Sequence, residues 1–283
     1  MSNAQPGGYY FAPPSHWPIV GSIALFFMAI GGVLLMNSYG VGWIPFGIGF
    51  ATLVYMLFGW FGTVIRESEG GLFNKQVDGS FRWAMSWFIF SEVMFFAAFF
   101  GALFYARVYS LPWLGDIDNK LLWPDFATHW PSSGPYRPPE FSAMHAWGIP
   151  AINTLLLLTS GVTVTWAHWA LKKGDRQNLI FGLSLTVMLG LLFLSLQIYE
   201  YMHAYSELNL KLTTGIFGST FFMLTGFHGF HVTLGVTMLI VILFRCVAGH
   251  FKPEHHFGFE AVSWYWHFVD VVWLLLFVFV YWV

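Results

Sequence analysis

Charge is what this 283-residue chain has least of. Only 9% of its residues are Asp, Glu, Lys or Arg, against about 25% in an ordinary soluble domain, so it lacks the polar surface to meet water on every side. Twelve Lys and Arg against 14 Asp and Glu leave a formal net charge of −2. No basic patch is available to neutralise phosphates, which excludes a nucleic-acid partner. One cysteine, Cys246, excludes an internal disulfide and any Cys-based cluster within the chain. No Lys or Arg precedes the first apolar run, so the opening MSNAQPGGYYFAPPSHWP does not resemble a cleaved signal peptide. Neither G-x-x-x-x-G-K-[ST], G-x-S-x-G nor H-E-x-x-H occurs, so the chemistry those motifs announce is absent.

What is present is apolar: 57% hydrophobic, 21% aromatic, with a mean hydropathy of +0.63. Seven segments are long enough to span a bilayer as helices, at about 17–37, 43–65, 82–107, 145–171, 178–203, 214–245 and 259–282. The runs are continuous and lack period-2 alternation, so spanning strands are not expected. The expectation is an all-α integral membrane protein forming a single membrane domain over 1–283, without a repeat or a soluble domain. The Pro-rich stretch 111–140 has turn chemistry at Pro112, Gly115, Pro131, Gly134 and Pro135, which predicts a loop folded over the bundle. Small residues at Gly31-Gly32, Gly47-x-Gly49, Gly59-xx-Gly62 and Gly226-xx-Gly229 predict close helix approach.

Orientation follows from the placement of Lys and Arg. With the N-terminus inside, Arg66, Lys75, Arg82, Lys172, Lys173, Arg176, Arg245 and Lys252 face the cytoplasmic side, and Arg107, Lys120, Arg137 and Lys211 the other. Eight against four favours that arrangement, with the C-terminus outside.

The third segment carries one acid, Glu92, about 15 Å in from Arg82 and near the midplane of a roughly 30 Å hydrocarbon layer. A carboxylate there costs on the order of 3 kcal/mol unless it is protonated, paired or hydrated. Glu92 is therefore expected to be neutral and functional, the plainer alternative being a protonated acid that joins two helices. His228 and His231 share a face of the sixth segment. They suit metal ligation by residue type, yet one helix cannot supply opposite axial ligands to one haem, so helix-to-helix hydrogen bonding or lipid contact is the expectation. Glu200-x-x-His203 resembles half of a di-iron carboxylate motif, but no second half exists. His267 and Asp270 at i, i+3 read as a structural pair, with proton relay as the alternative. His255-His256 in a loop point apart and are weak candidates for metal. No metal site is predicted. Two other classes fit some of these residues: a secondary transporter using Glu92 and Asp270, and a haem-bearing carrier using His168, His228 or His267. The first lacks an internal inverted repeat and paired broken helices.

Taken together, the local motifs resemble subunit III of the haem–copper cytochrome c oxidases over nearly the whole chain. The resemblance runs through Ser15-His16-Trp17-Pro18, Val64-Ile65-Arg66-Glu67-Ser68, Ser91-Glu92-Val93, Asn153-Thr154 to Ser160-Gly161, Thr165-Trp166-Ala167-His168, Gly174-Asp175-Arg176 and Gln197-Ile198-Tyr199-Glu200-Tyr201. GSTFFMLTGFHGFHVTLG (218–235) and HHFGFEAVSWYWHFVDVVW (255–273) are its most specific parts. The chain departs from that family at Trp169, where a second histidine is usual, at Trp60–Thr63, and in 70–82, which has no histidine.

The resemblance implies a seven-helix bundle whose first two helices splay from the other five around a lipid-filled cleft. It implies no catalytic residue and no redox cofactor in this chain. Haem and copper would lie in partner subunits, subunit I with the haems and a copper, subunit II receiving electrons from cytochrome c. It also implies bound phospholipids, with Arg66, Glu67 and Arg245 as lipid-binding residues, and roles in bracing subunit I, proton uptake and oxygen delivery. All seven helices fit a cytochrome c oxidase better than a quinol oxidase. The expected location is the bacterial cytoplasmic membrane, or alternatively the mitochondrial inner membrane.

Overall fold

The computed structural model describes residues 10–135 and 140–282, so the predicted outer residue Arg137 and the opening nine residues lie outside the described residues. Among the described residues seven helices are long and apolar enough to cross a membrane. They are α1 (Trp17–Met36), α2 (Trp43–Glu69), α3 (Lys75–Tyr105), α4 (Ile149–Lys173), α5 (Arg176–Ser206), α6 (Gly215–Ala248) and α7 (Phe257–Leu276). Widened π-type turns continue α3 over Ala106–Ser110 and α7 over Phe277–Trp282. The only β pairing among the described residues is an isolated bridge between Lys252 and His255.

By internal contacts the chain divides into two compact units, 1–81 and 82–283. In the first, α1 starts with Pro18 in its opening turn, where a missing N–H costs nothing. Its α1–α2 seam is made by glycines. A Cβ on Gly49 would lie 2.6 Å from the Met28 backbone nitrogen, and one on Gly31 would collide with the Phe46 backbone. Gly59 likewise faces the Trp17 ring, whereas Gly32, Gly47 and Gly62 have nothing within 4 Å. Only one glycine of each of these three pairs therefore serves the seam.

In the second unit the core lies among α4, α5, α6 and α7, around Trp266, Trp273, Phe193, Phe221 and Leu224. Lipid tails are as apolar as leucine, so packing and polar bonds between helices hold such a bundle. Trp266 Nε1 donates to Ser160 Oγ and Trp273 Nε1 to Thr154 Oγ1, each at 2.9 Å, and Thr163 and Thr186 hydroxyls meet at 2.7 Å. Phe193 stands edge-on to Trp273 at 4.8 Å. Gly174, at φ 73°, ends α4, and Asp175 caps α5 by accepting from the Asn178 backbone N–H at 3.1 Å. Gly249, at φ 85°, ends α6.

α3 begins at Lys75, seven residues before the predicted start at Arg82. Asn74 explains the difference: its Oδ1 accepts from the backbone N–H groups of Gln76 and Val77 at 3.1 and 3.0 Å. That cap starts the helix in a stretch too polar to count as membrane-spanning. The loop after α3 is pinned to the first turn of α6 through Phe217 N to Ser132 O at 3.1 Å, and to the α5–α6 connection through Ser142 N to Leu208 O at 3.0 Å.

Candidate functional site

The third-helix acid has a partner. Glu92 Oε2 on α3 lies 2.9 Å from His231 Nε2 on α6. His231 Nδ1 in turn lies 2.6 Å from the Phe227 carbonyl oxygen. A carbonyl only accepts, so Nδ1 must carry a proton. The Glu92–His231 contact then holds one further proton, either as carboxyl to imidazole or as imidazolium to carboxylate. Phe96, 5.0 Å from the imidazole edge-on, and Tyr265, stacked at 6.4 Å, line the pair. His231 is nearly buried, while the Glu92 side chain remains 22% exposed. The carboxyl is therefore reachable from the helix surface.

The other singled-out residues take separate partners. His228 makes a bond between helices, its Nε2 on α6 donating to the Val269 carbonyl on α7 at 3.1 Å. His267 and Asp270 lie 3.9 Å apart, too far for a hydrogen bond, and His267 Nε2 instead meets Thr165 Oγ1 at 3.2 Å. Asp270 packs against Gly161, where a Cβ would approach its Oδ2 to 2.5 Å. His203 pairs with Glu207 at 3.2 Å and not with Glu200. His168 faces His256 and Phe259 edge-on or tilted, at 5.3 and 5.4 Å. Among the described residues no group of three His, Cys, Asp or Glu side chains converges as a metal site.

Of the predicted lipid contacts, Arg66 folds back on its own helix, Nε donating to Gly62 O and Nη2 to Thr63 Oγ1, both at 3.2 Å. Glu67 neighbours Tyr10, whose phenol pKa is raised by burial and then by the Glu67 charge and hydrogen bond. Arg245 lays its guanidinium over the Phe251 ring at 4.2 Å.

Three polar contacts escaped the sequence reading. Arg82 joins α3 to the first turn of α7, its Nε and Nη2 donating to Glu260 Oε2 at 3.1 and 2.8 Å. Arg176 Nη2 donates to the carbonyls of Cys246 and Val247 and so caps the end of α6. Tyr281 Oη donates to the fully buried Glu200 Oε1 at 2.6 Å. Each partner pair is 70 or more residues apart in sequence, so no local spacing could announce it. Acid and hydroxyl were both visible as residue types.

An all-helical, multi-span membrane protein whose few interior polar groups are mostly engaged in bonds between helices is the class that this fold and site define. Residues 7–283 match the family model for cytochrome c oxidase subunit III. The chain is 43% identical to cytochrome c oxidase subunit 3 of Marchantia polymorpha, covering 100% of this chain and 98% of that one. It is 41% identical to that of Arabidopsis thaliana over 100% and 98% of the two chains, and 40% to that of Papio hamadryas over 97% and 96%. The chain belongs to the cytochrome c oxidase subunit III family.

Proposed function

We propose that this chain is a non-catalytic membrane subunit that braces the haem–copper subunit of its oxidase, holds structural phospholipids and assists proton uptake. The single observation that carries the reading is the Glu92–His231 pair, which joins the acid of α3 to α6 at 2.9 Å. Such a pair can bind and release a proton without any redox group in the chain. Subunit I would supply haem and copper, and subunit II the route from cytochrome c. The orientation remains that of the charge distribution, N-terminus inside and all seven helices in one bilayer. The named relatives are eukaryotic, which supports the mitochondrial inner membrane beside the bacterial cytoplasmic membrane as its setting.

The test is metal content. His228→Ala and His231→Ala complexes, purified in mild detergent with their partner subunits, should retain the haem and copper stoichiometry of the parent. Loss of a stoichiometric metal from either, with the subunit still assembled, overturns the non-redox reading.

A further inference from the structure

We propose that Asn153, Gln197 and Glu200 together bind one internal water molecule between α4, α5 and the π-type end of α7. Asn153 and Glu200 are 0% exposed and Gln197 5%. Gln197 and Glu200 share one face of α5 at i, i+3. Asn153 Nδ2 reaches across from α4 to Gln197 Oε1 at 3.5 Å, and Tyr281 Oη closes the other side on Glu200 Oε1 at 2.6 Å. The Gln197 amide lies beside both Glu200 and Tyr281 without reaching hydrogen-bond geometry. Three buried atoms of this one cluster thus have no partner within the chain: Asn153 Oδ1, Gln197 Nε2 and Glu200 Oε2.

Their chemistry matches a water. As oriented, the cluster offers an unpartnered amide nitrogen on Gln197 with two N–H groups, one unused carbonyl acceptor on Asn153, and one carboxyl oxygen. Flipping both amides moves the unused donor to Asn153 and the unused acceptor to Gln197, and changes nothing else. The carboxyl oxygen accepts if Glu200 is ionised and donates if its proton sits on Oε2. A water has two donors and two acceptor sites, so in each of these assignments it gives all three atoms a partner with three bonds, the number usual for an internal water. No single amide rotation does so. Orphaned groups of this kind are costly where no solvent reaches them.

The experiment uses the parent oxidase complex. A cryo-EM map at a resolution that shows ordered waters should contain a peak within hydrogen-bond distance of all three atoms. X-ray radiolytic labelling in H2 18O, which marks side chains next to bound water, should label Tyr281, 8% exposed, several-fold faster than Trp266, 0% exposed, whose indole N–H is already bonded to Ser160. Glu200→Gln keeps the donor–acceptor complement and should keep the excess label; Glu200→Leu should reduce it to the Trp266 level. A map in which Gln197 bonds Glu200 directly with no peak between the three atoms overturns the proposal. So does Tyr281 labelling no faster than Trp266 in the parent, a result that needs no variant to fold.

Discussion

At the scale of single residues, Glu92 was legible in sequence and His231 as its partner was not. One acid in a long apolar run is conspicuous, and depth follows from counting residues. Its partner lies 139 residues away, and which of two histidines one turn apart faces α3 depends on how α6 is rotated in the bundle. The pairing sharpens a prediction about reactivity. A hydrophobic carbodiimide attacks a protonated carboxyl, and the carboxyl–imidazole form supplies one at a partly exposed position. Glu92 should therefore be modified in the parent complex and unmodified in Glu92→Gln, read by peptide mass spectrometry. The amide can still donate to Nε2, so assembly should survive. Persistent labelling of Glu92→Gln complexes would put the reactive carboxyl elsewhere. His231→Leu, by contrast, leaves the acid unpaired and should cost on the order of 1–3 kcal/mol in thermal stability.

Between elements, glycine pattern and helix caps do different work. Three of the four glycine clusters mark close packing, but which member of each touches its neighbour was not readable, because a one-residue shift on a helix is a rotation of 100°. At Gly226 and Gly229 no close approach occurs. Gly49 and Gly47 make a matched test in the first unit. Gly49→Ala drives a methyl into the α1 backbone and should destabilise by about 1–3 kcal/mol. Gly47→Ala meets nothing within 4 Å and should be neutral or stabilising by up to about 1 kcal/mol through helix propensity. Thermal melting in detergent separates them; equal melting temperatures would mean that the α1–α2 seam is looser than described.

The Asp175 cap gives a pH prediction. The Asn178 backbone N–H, and then its side-chain amide, hold the Asp175 carboxyl below the usual aspartate range. A depressed folded-state pKa adds stability above the unfolded value of about 3.9 and loses it as pH falls through the folded value. Asp175→Ala should thus lower the melting temperature near neutrality, and the gap from the parent should close below about pH 4. A gap that stays constant into acid would show that the cap's charge is irrelevant. The Asn74 cap carries the same lesson for reading sequence. Asn74 is a good cap by type, yet the polar residues after it outweighed that signal when apolar length alone defined the helix.

For the molecule as a whole, the number of spanning helices and the family were legible, because both are written in long runs and extended motifs. The use of surface arginines was not, since positive-inside placement and lipid binding call for the same residue at the same depth. The two readings differ in consequence. If Arg66 and Arg245 hold phospholipid headgroups, as a guanidinium can by bidentate bonds to phosphate, then Arg66→Ala or Arg245→Ala complexes should each lose a tightly held lipid. They should begin turnover at a near-normal rate and inactivate several-fold sooner. Native mass spectrometry with a timed oxygen-consumption assay reads both. Unchanged lipid stoichiometry in both variants would leave only topology anchoring.

The Arg176 cap on α6 also bears on how the chain is made. The guanidinium that closes the end of α6 belongs to the first residue of α5, and the carbonyls it holds lie 70 and 71 residues further along. In vectorial synthesis the arginine emerges long before its acceptors exist, so it must wait at the aqueous edge of the membrane while the α5–α6 hairpin is threaded. The bond then becomes a latch on completed insertion. A hairpin with α6 inverted or only partly inserted would leave Arg176 and the last carbonyls of α6 apart, each without the other as its hydrogen-bond partner.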